Sequence, residues 1–398
     1  MAASEPILGI GVIGLGGAAV AMIPKFVKNP RTQIAAAADI DAEILGRFRR
    51  DFPDAEAHED AARLCESRGV DLVYIATPNR FHAEHVRMAL EKKKHVLIEK
   101  PMTIDVAGSK ELVASAQRNG VLLGVNVKHS FEPRVLRLRE MVRTGELGQL
   151  RMINSWRFAD WLYRPRTPEE LTPEPGGGIL WRQGPHQIDI IRTMGGGMVR
   201  SLRGSVDTWD PKRRVPGAYA AYLDFEDGAL ATAVTSGYDH FDSTELVQRG
   251  AAPDPSSHAR ARRELRAAPN AEWEAQAARA ERYGGARKSV QPRPAQPSLG
   301  WIMGGPTIVS FDKGDVCFTP GGLTVYGDDN VKEIKLGVKG EDGRDGRINS
   351  FYDAIVKHRA LPADGAWGMA TLEVLLAIEQ SSRERKEVAL HNQTPTVD

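Results

Sequence analysis

The sequence predicts an α/β chain of two domains, a doubly wound parallel sheet followed by a second domain built on a mainly antiparallel sheet. Two observations carry this. Up to about residue 127, short apolar runs alternate with helical stretches, which is the pattern of β-α-β units. Beyond 128 the apolar runs acquire one wet face, as strands of an antiparallel sheet do. The 398 residues suffice for two or three domains with sizeable cores.

The first strand is Ile7 to Ile13, and it ends in Gly14-Leu15-Gly16-Gly17-Ala18-Ala19 ahead of the helical stretch Val20-Ala21-Met22-Ile23. This reads as Gly-x-Gly-x-x-Ala. Gly14 permits the sharp turn, Gly16 lets backbone approach a pyrophosphate, and Ala19 lets the helix pack closely on the strand. The second strand, Gln33 to Ala38, ends in Asp39, an acid placed to accept from ribose hydroxyls. The next residue is Ile40, where an arginine would have suited a 2′-phosphate. A dinucleotide site follows, with NAD favoured over NADP.

Residues 41–50 read as a charged helix, and Val70 to Ala76 as a buried strand ending in Thr77-Pro78-Asn79. A helix over His82–Leu90 leads to a strand His95–Ile98, which ends in Glu99-Lys100-Pro101. Residues 105–119 form a helix and Val121–Val125 another strand. Ligands of such sheets bind at the strands' carboxyl ends, and the motifs at 14–19, 39, 77–79 and 99–101 all fall there. Beyond 128, Met152–Phe158, Gly217–Phe225, Ala229–Ser236 and Thr307–Phe311 read as strands, with a helix Gln183–Met194 among them. Residues 242–300 are rich in Arg, Ala and Pro and read as a solvated insertion, helical at most over Ala259–Arg282. Helical patterns at 347–358 and 368–384 close the chain.

Composition narrows the partners. With 53 basic and 52 acidic residues, nothing points to nucleic acid or an anionic membrane. Cys65 and Cys317 stand far apart without metal-ligand spacing, so neither a disulfide nor a metal site is expected. No stretch approaches membrane-spanning length, and the apolar run at Ile7 lacks the basic residues of a signal peptide. A cytoplasmic protein is expected.

Two groups of residues carry chemistry. Lys100 lies between a strand end and a proline, where its amine would sit at the mouth of the cofactor cleft. Gly176-Gly177-Gly178 precedes a helix with His186 and Asp189 one turn apart. A histidine has the pKa to take a hydroxyl proton as hydride leaves the carbon. His82 and His85 share that spacing and read as mainly structural, with His82 lining the cofactor cleft.

Taken together, Gly14-x-Gly16-x-x-Ala19, Ala76-Thr77-Pro78-Asn79-x-x-His82, Glu99-Lys100-Pro101 and Gly176-Gly177-Gly178…His186…Asp189 resemble the Gfo/Idh/MocA oxidoreductases. The resemblance implies a Rossmann domain over 1–127. It implies a C-terminal α/β domain over 128–398 whose large open sheet mediates a homo-oligomer, a dimer or tetramer. It also implies a nicotinamide cofactor, with Lys100 and His186 in the active site. Sugar-directed members commonly place an acid four residues before the histidine, whereas this chain has Arg182. An arginine there suits an anionic substrate. The segment Trp156 to Arg166 is rich in aromatics and arginine, which fits either a pocket for a carboxylated ring or packing between domains or subunits.

Residues 156–189 and the tail from Asp315 to Asp329 resemble the branch of phthalate cis-4,5-dihydrodiol dehydrogenases, implying oxidation of a carboxylated aromatic cis-dihydrodiol. On this reading NAD meets Ile13, Gly14, Gly16, Gly17, Asp39, Ile40, Thr77, Pro78, Asn79, His82, Glu99, Lys100 and Asn126. The substrate meets Lys100, His129, Arg164, Arg166, Trp181, Arg182 and His186. Two other functions fit the same motifs: a sugar or inositol dehydrogenase, and a non-catalytic NAD(P)-responsive sensor.

Overall fold

The computed structural model describes residues 5–172, 176–238, 240–246, 263, 265, 267, 271–280, 282–284, 305–336 and 343–398. The first sheet is wholly parallel. Its strands are β1 (Leu8–Ile13), β2 (Thr32–Ala38), β3 (Glu56–His58), β4 (Leu72–Ile75), β5 (His95–Ile98) and β6 (Leu123–Val125). They lie in the order β3-β2-β1-β4-β5-β6, the mononucleotide-fold order of a Rossmann sheet. Every residue of β1 and β4 is buried, because helices cover both faces.

On one face lie α1 (Gly17–Lys28) and α2 (Ala42–Asp51). On the other lie α3 (Ala61–Glu66), α4 (His82–Glu91) and α5 (Val106–Asn119). The short elements β3 and α3 carry no periodic signal long enough to read from sequence. Asp41, Asp60 and Asp105 cap α2, α3 and α5 with side-chain oxygens on backbone N–H groups.

The second sheet has nine strands. They are β7 (Leu150–Phe158), β8 (Val199–Asp207), β9 (Ala218–Phe225), β10 (Leu230–Ser236), β11 (Thr307–Phe311), β12 (Gly314–Thr319), β13 (Gly322–Gly327), β14 (Val331–Lys335) and β15 (Val388–Ala389). Their order is β14-β13-β12-β11-β7-β10-β9-β8-β15, antiparallel throughout except that β10 runs parallel to β7. β8 and β12–β14 are not apparent in the sequence: β8 and β14 are rich in charged and polar residues, and β12 and β13 are six-residue strands that begin at glycines.

The inner face of this sheet packs on α6 (Pro133–Thr144) and α7 (Gly178–Met194). α7 starts five residues earlier than the Gln183 expected, and it runs through Pro185. Pro185 removes the N–H that would bond Trp181 O, yet buried contacts along the helix hold it. Gln187 ties α7 to the sheet by donating to Ser155 O and accepting from Tyr219 and Thr235.

The insertion bridges the domains through α8 (Ala271–Arg279), the described part of the expected helix 259–282. Glu274 forms a buried ion pair with Arg213 and accepts from Arg166 N. Tyr283 N donates to Leu15 O, and Tyr283 Oη donates to Asp51. The remainder of 247–304 lies almost wholly outside the described residues.

The chain returns to the first domain at its end. Ile348, Phe351 and Tyr352 of α9 (Arg344–Lys357) join Ile10, Phe26 and Tyr74 in one core. Lys25 pairs with Asp345 at 2.8 Å, and Tyr352 Oη donates to Pro6 O. α9 therefore belongs to the layers of the Rossmann sheet, although an assignment of 128–398 to one C-terminal domain separates them. α10 (Gly365–Glu384) packs on both α7 and β8. Among the described residues no helix is long and apolar enough to cross a membrane.

Candidate active site

The turn after β1 shows what each glycine is for. Gly14 has φ +87°, and a Cβ there would meet Ala76 backbone and Thr77 Cγ2 at 2.9–3.0 Å. A Cβ on Gly16 or Gly17 would meet nothing within 4 Å. Space is thus kept open at the start of α1, whose first amides no side chain caps, an arrangement that fits a diphosphate. Ala19 is fully buried against the sheet. Asp39 accepts from Leu15 N at 2.7 Å and from Asp41 N at 3.0 Å, which sets its carboxylate beside the glycine turn. Ile40, next to Asp39, is 94% exposed.

A testable contrast follows. Gly14→Ala should cost about 1–3 kcal/mol of stability through its positive φ. Gly17→Ala should leave the melting temperature nearly unchanged but weaken NADH binding at least about tenfold. Thermal unfolding and NADH fluorescence titration read the two effects separately.

Further along the strand ends, Glu99 Oε1 accepts from Tyr74 Oη and from Asn126 Nδ2, both at 2.6 Å. Asn79 Nδ2, Asn126 Oδ1, His186 Nδ1 and Arg182 Nε are buried without a hydrogen-bond partner among the described residues. Buried polar atoms are ordinarily satisfied. Four such atoms on the residues expected to meet cofactor and substrate fit a site whose missing partners are ligand atoms.

His82 has a different place from the one expected. It is wholly buried, with Nδ1 at 2.8 Å from Pro101 O and Nε2 at 2.9 Å from Thr77 O. Its ring joins the Thr77-Pro78-Asn79 loop to the cis Lys100–Pro101 turn instead of lining the cleft. Thr77 Oγ1 in turn lies 3.0 Å from His85 Nδ1. Pro78 O accepts from Phe81 N and so starts the turn into α4.

Lys100 Nζ reaches across the cleft to Arg182 O at 3.1 Å, which brings β5 to the carbonyl one turn before His186. Burial lowers the Lys100 amine to about 8, with Glu99 opposing the shift and Arg182 and Lys128 adding to it. His186 is pushed well below the usual imidazole range by burial and by the cations Lys100, Lys128 and Arg157. It is a neutral imidazole at ordinary pH. The ring of His129 meets His186 edge-on, with centroids 5.0 Å apart, while its Nδ1 lies 2.5 Å from Glu132. Burial lowers His129 to about 4 despite that carboxylate.

Asp189 sits one turn further along α7 and faces away from the cleft. It accepts from Trp367 Nε1 at 2.6 Å and from Ser130 Oγ, and so anchors the segment carrying Lys128 and His129. Burial pushes its carboxyl up to about 7, against the Trp367 N–H and the nearby Arg192 and Arg347.

Two of the expected substrate contacts are corrected. Trp181 is 1% exposed, and its indole N–H donates to Glu379 on α10, so it is a core residue. Arg166 stacks on Trp161 and donates to Trp161 O and Glu170, which leaves its guanidinium committed within its own segment. Arg164 is half-exposed and paired with Asp160. The Arg182 guanidinium is largely buried, and its Nε makes no hydrogen bond to a described residue.

Lys128 and Arg157 join this cluster without having been singled out in the sequence. Arg157 donates to Gln183 on α7, and burial lowers it to about 10. For Lys128 the available signal was its position directly after β6, at a strand's carboxyl end.

Comparison with known proteins places the fold. The model of the Gfo/Idh/MocA oxidoreductase family, NAD-binding Rossmann fold, matches residues 8–127. The GFO/IDH/MocA C-terminal domain matches residues 135–250. A crystal structure described as a dehydrogenase from Bordetella bronchiseptica RB50 is 35% identical. It superposes with a TM-score of 0.85 over 96% of this chain and 100% of that one.

The chain belongs to the Gfo/Idh/MocA family.

Among Gfo/Idh/MocA proteins, a 1-carboxy-3-chloro-3,4-dihydroxycyclohexa-1,5-diene dehydrogenase from Comamonas testosteroni is 42% identical over 238 residues, which are 60% of each chain. An oxidoreductase from Agrobacterium radiobacter, solved with NAD+, L-tartaric acid and magnesium, shares the fold at 17% identity. Its TM-score is 0.71, over 96% of this chain and 98% of that one. The Gfo/Idh/MocA first domain is an NAD-binding one, and the glycine cradle, Asp39 and the unpartnered atoms of Asn79 and Asn126 fit that cofactor.

Proposed function

We propose that the protein is an NAD-dependent dehydrogenase that oxidises a carboxylated cis-dihydrodiol to the corresponding catechol, with phthalate cis-4,5-dihydrodiol and 4,5-dihydroxyphthalate as substrate and product. The observation that carries this is Arg182. It stands on α7 one turn before His186, largely buried and with its Nε unpartnered among the described residues, where sugar-directed relatives commonly hold an acid. A guanidinium so placed answers a carboxylate through a charge-assisted pair. The Comamonas testosteroni relative, whose name is that of a carboxylated cyclohexadiene diol dehydrogenase, supports the same substrate class.

Gly14, Gly16, Gly17 and Asp39 hold the diphosphate and adenosine ends of the cofactor, and Thr77, Asn79, Glu99 and Asn126 line its nicotinamide end. Bound NAD supplies the hydride acceptor. His186, kept neutral by its surroundings, accepts the proton of one ring hydroxyl. Lys100 donates to the same oxygen and stabilises its developing negative charge. Arg182 holds a ring carboxylate, Arg164 borders the site, and His129 orients the His186 ring edge-on. The ketone so formed tautomerises to an aromatic ring, which makes the oxidation strongly downhill.

The test is NADH formation by the purified protein given NAD and a phthalate cis-dihydrodiol beside inositol and glucose. Turnover of the dihydrodiol alone is expected. Turnover of a polyol instead would remove the carboxylate pocket, and cofactor binding without any turnover would point to a sensor.

The reading includes a homo-oligomer. Met152, Trp156, Tyr222, Ile308 and Tyr326 all stand 36–45% exposed on β7, β9, β11 and β13. Their registers put them on the face of the nine-stranded sheet opposite the helices. Such an apolar, aromatic sheet face is of the kind subunit interfaces cover. The double variant Trp156→Glu, Tyr222→Lys should elute as a monomer in size-exclusion chromatography with light scattering. A monomeric parent protein would overturn the assignment. The NAD cofactor and two free cysteines suit a cytoplasmic setting.

A further inference from the structure

Around His186 the positive charges outnumber the carboxylates able to answer them. Lys100, Lys128 and Arg157 all lie close enough to depress its basicity, and Arg182 and Lys128 both act on Lys100. The neighbouring carboxylates are already engaged elsewhere. Glu99 holds Tyr74 and Asn126, and Glu132 holds His129 and Arg134. Asp160 holds Arg164, while Glu170 holds Arg166 and Thr167 N.

Three cationic heads, although carboxylates lie near them, make no ion pair with a described residue. Lys100 has a single carbonyl, Arg182 has an unpartnered Nε, and the Lys128 ammonium has neither hydrogen bond nor ion pair among the described residues. Lys128 is also firmly placed. Its carbonyl accepts from Phe131 N, and it packs so closely on Gly343 that a Cβ there would come within 1.7 Å. Ser130, two residues on, is held by Asp189. A backbone pinned on both sides, next to the His129 whose ring meets His186, and a partly buried ammonium whose charge acts on both Lys100 and His186 without an ion pair among the described residues, suit an anion.

Arg182 answers one carboxylate of the substrate, and a single carboxylate leaves the Lys128 ammonium unpaired. We propose that Lys128 is a specificity-determining residue that pairs with a second carboxylate, so that the site selects a ring bearing two carboxylates over a ring bearing one. This deepens the dihydrodiol reading and rests on it for the reaction, though not for the binding of the dianion. The lowered pKa of Lys128, about 8 through burial and the nearby Arg344 and Arg157 against the opposing Glu132 and Glu99, accords with an ammonium that awaits an anion.

The experiment compares the parent protein with Lys128→Met and Lys128→Arg in two assays. In the first, cis-dihydrodiols with one and with two ring carboxylates are oxidised in the presence of NAD. The parent should favour the dicarboxylate. Lys128→Met should reduce the ratio of the two kcat/KM values roughly 10- to 100-fold, mainly through KM, and Lys128→Arg should restore most of it.

The second assay titrates the unreactive anions phthalate and benzoate by calorimetry. Phthalate should bind the parent more tightly than benzoate, and Lys128→Met should remove most of that difference. Equal losses on both diols, or equal phthalate affinity in parent and Lys128→Met, would overturn the proposal. If neither diol is oxidised, the dihydrodiol reading fails, and the phthalate titration still decides the role of Lys128. Thermal unfolding of each variant separates a lost contact from a lost fold.

Discussion

Lys100→Met is expected to lower kcat about a thousandfold while leaving NADH affinity within about threefold. The amine is the group that β5 delivers into the cleft, and its Nζ already bridges to Arg182 O one turn from His186. In the proposed reaction it donates to the oxygen on which charge develops, so its loss removes an interaction that strengthens toward the transition state. The diphosphate cradle lies at the other end of the site, around Gly16 and Gly17, and does not depend on it. Single-turnover rates and NADH fluorescence titration separate the two quantities. Full activity of Lys100→Met would remove it from the reaction.

The same residue sets a pH dependence with a definite sign. Burial brings the Lys100 amine down to about 8, so the free protein loses its charge as the pH rises through that value. Since the charged form is the one that stabilises an alkoxide, kcat/KM should be level near pH 7 and fall above about pH 8. A rise through the same region would show instead that the neutral amine takes the proton, and the roles of Lys100 and His186 would exchange.

His186→Ala should lower kcat by about 10²- to 10⁴-fold, the usual contribution of a positioned general base. The neutral imidazole stands without a partner at Nδ1 and is oriented by the edge of His129, itself held by Glu132. Added imidazole should recover part of the lost rate, since the vacated space adjoins the reacting hydroxyl. His129→Phe, which keeps a ring at that edge, should cost much less than His186→Ala. Equal losses from the two substitutions would mean that the pair acts only through packing.

Much of the dinucleotide half was legible because its determinants are local. A positive φ at Gly14, a buried Ala19 at the first turn of a helix and an acid closing the next strand are matters of a few consecutive residues. The same holds for the strand ends at Thr77 and Glu99. His82 misled because a one-turn spacing says nothing about which side of a helix faces the cleft; both of its nitrogens meet backbone carbonyls, one of them 19 residues away. β12 and β14 escaped because polar and charged residues interleave with their few apolar ones, whereas β1 and β4 are buried throughout.

Sequence by itself determined the Rossmann domain and the order of its motifs, since periodicity and turn chemistry are written in neighbouring residues. Only the tertiary structure decided which charges face a ligand. A long cationic side chain takes its partner from whatever the fold brings near, and sequence distance is no guide: Lys100 meets a carbonyl 82 residues away. Arg166, expected at the substrate, is committed to Trp161 and Glu170, and Trp181 to Glu379. Lys128, unremarkable in the sequence, acts on His186 through its charge and makes no ion pair with a described residue, while Glu99 and Glu132 near it hold other partners.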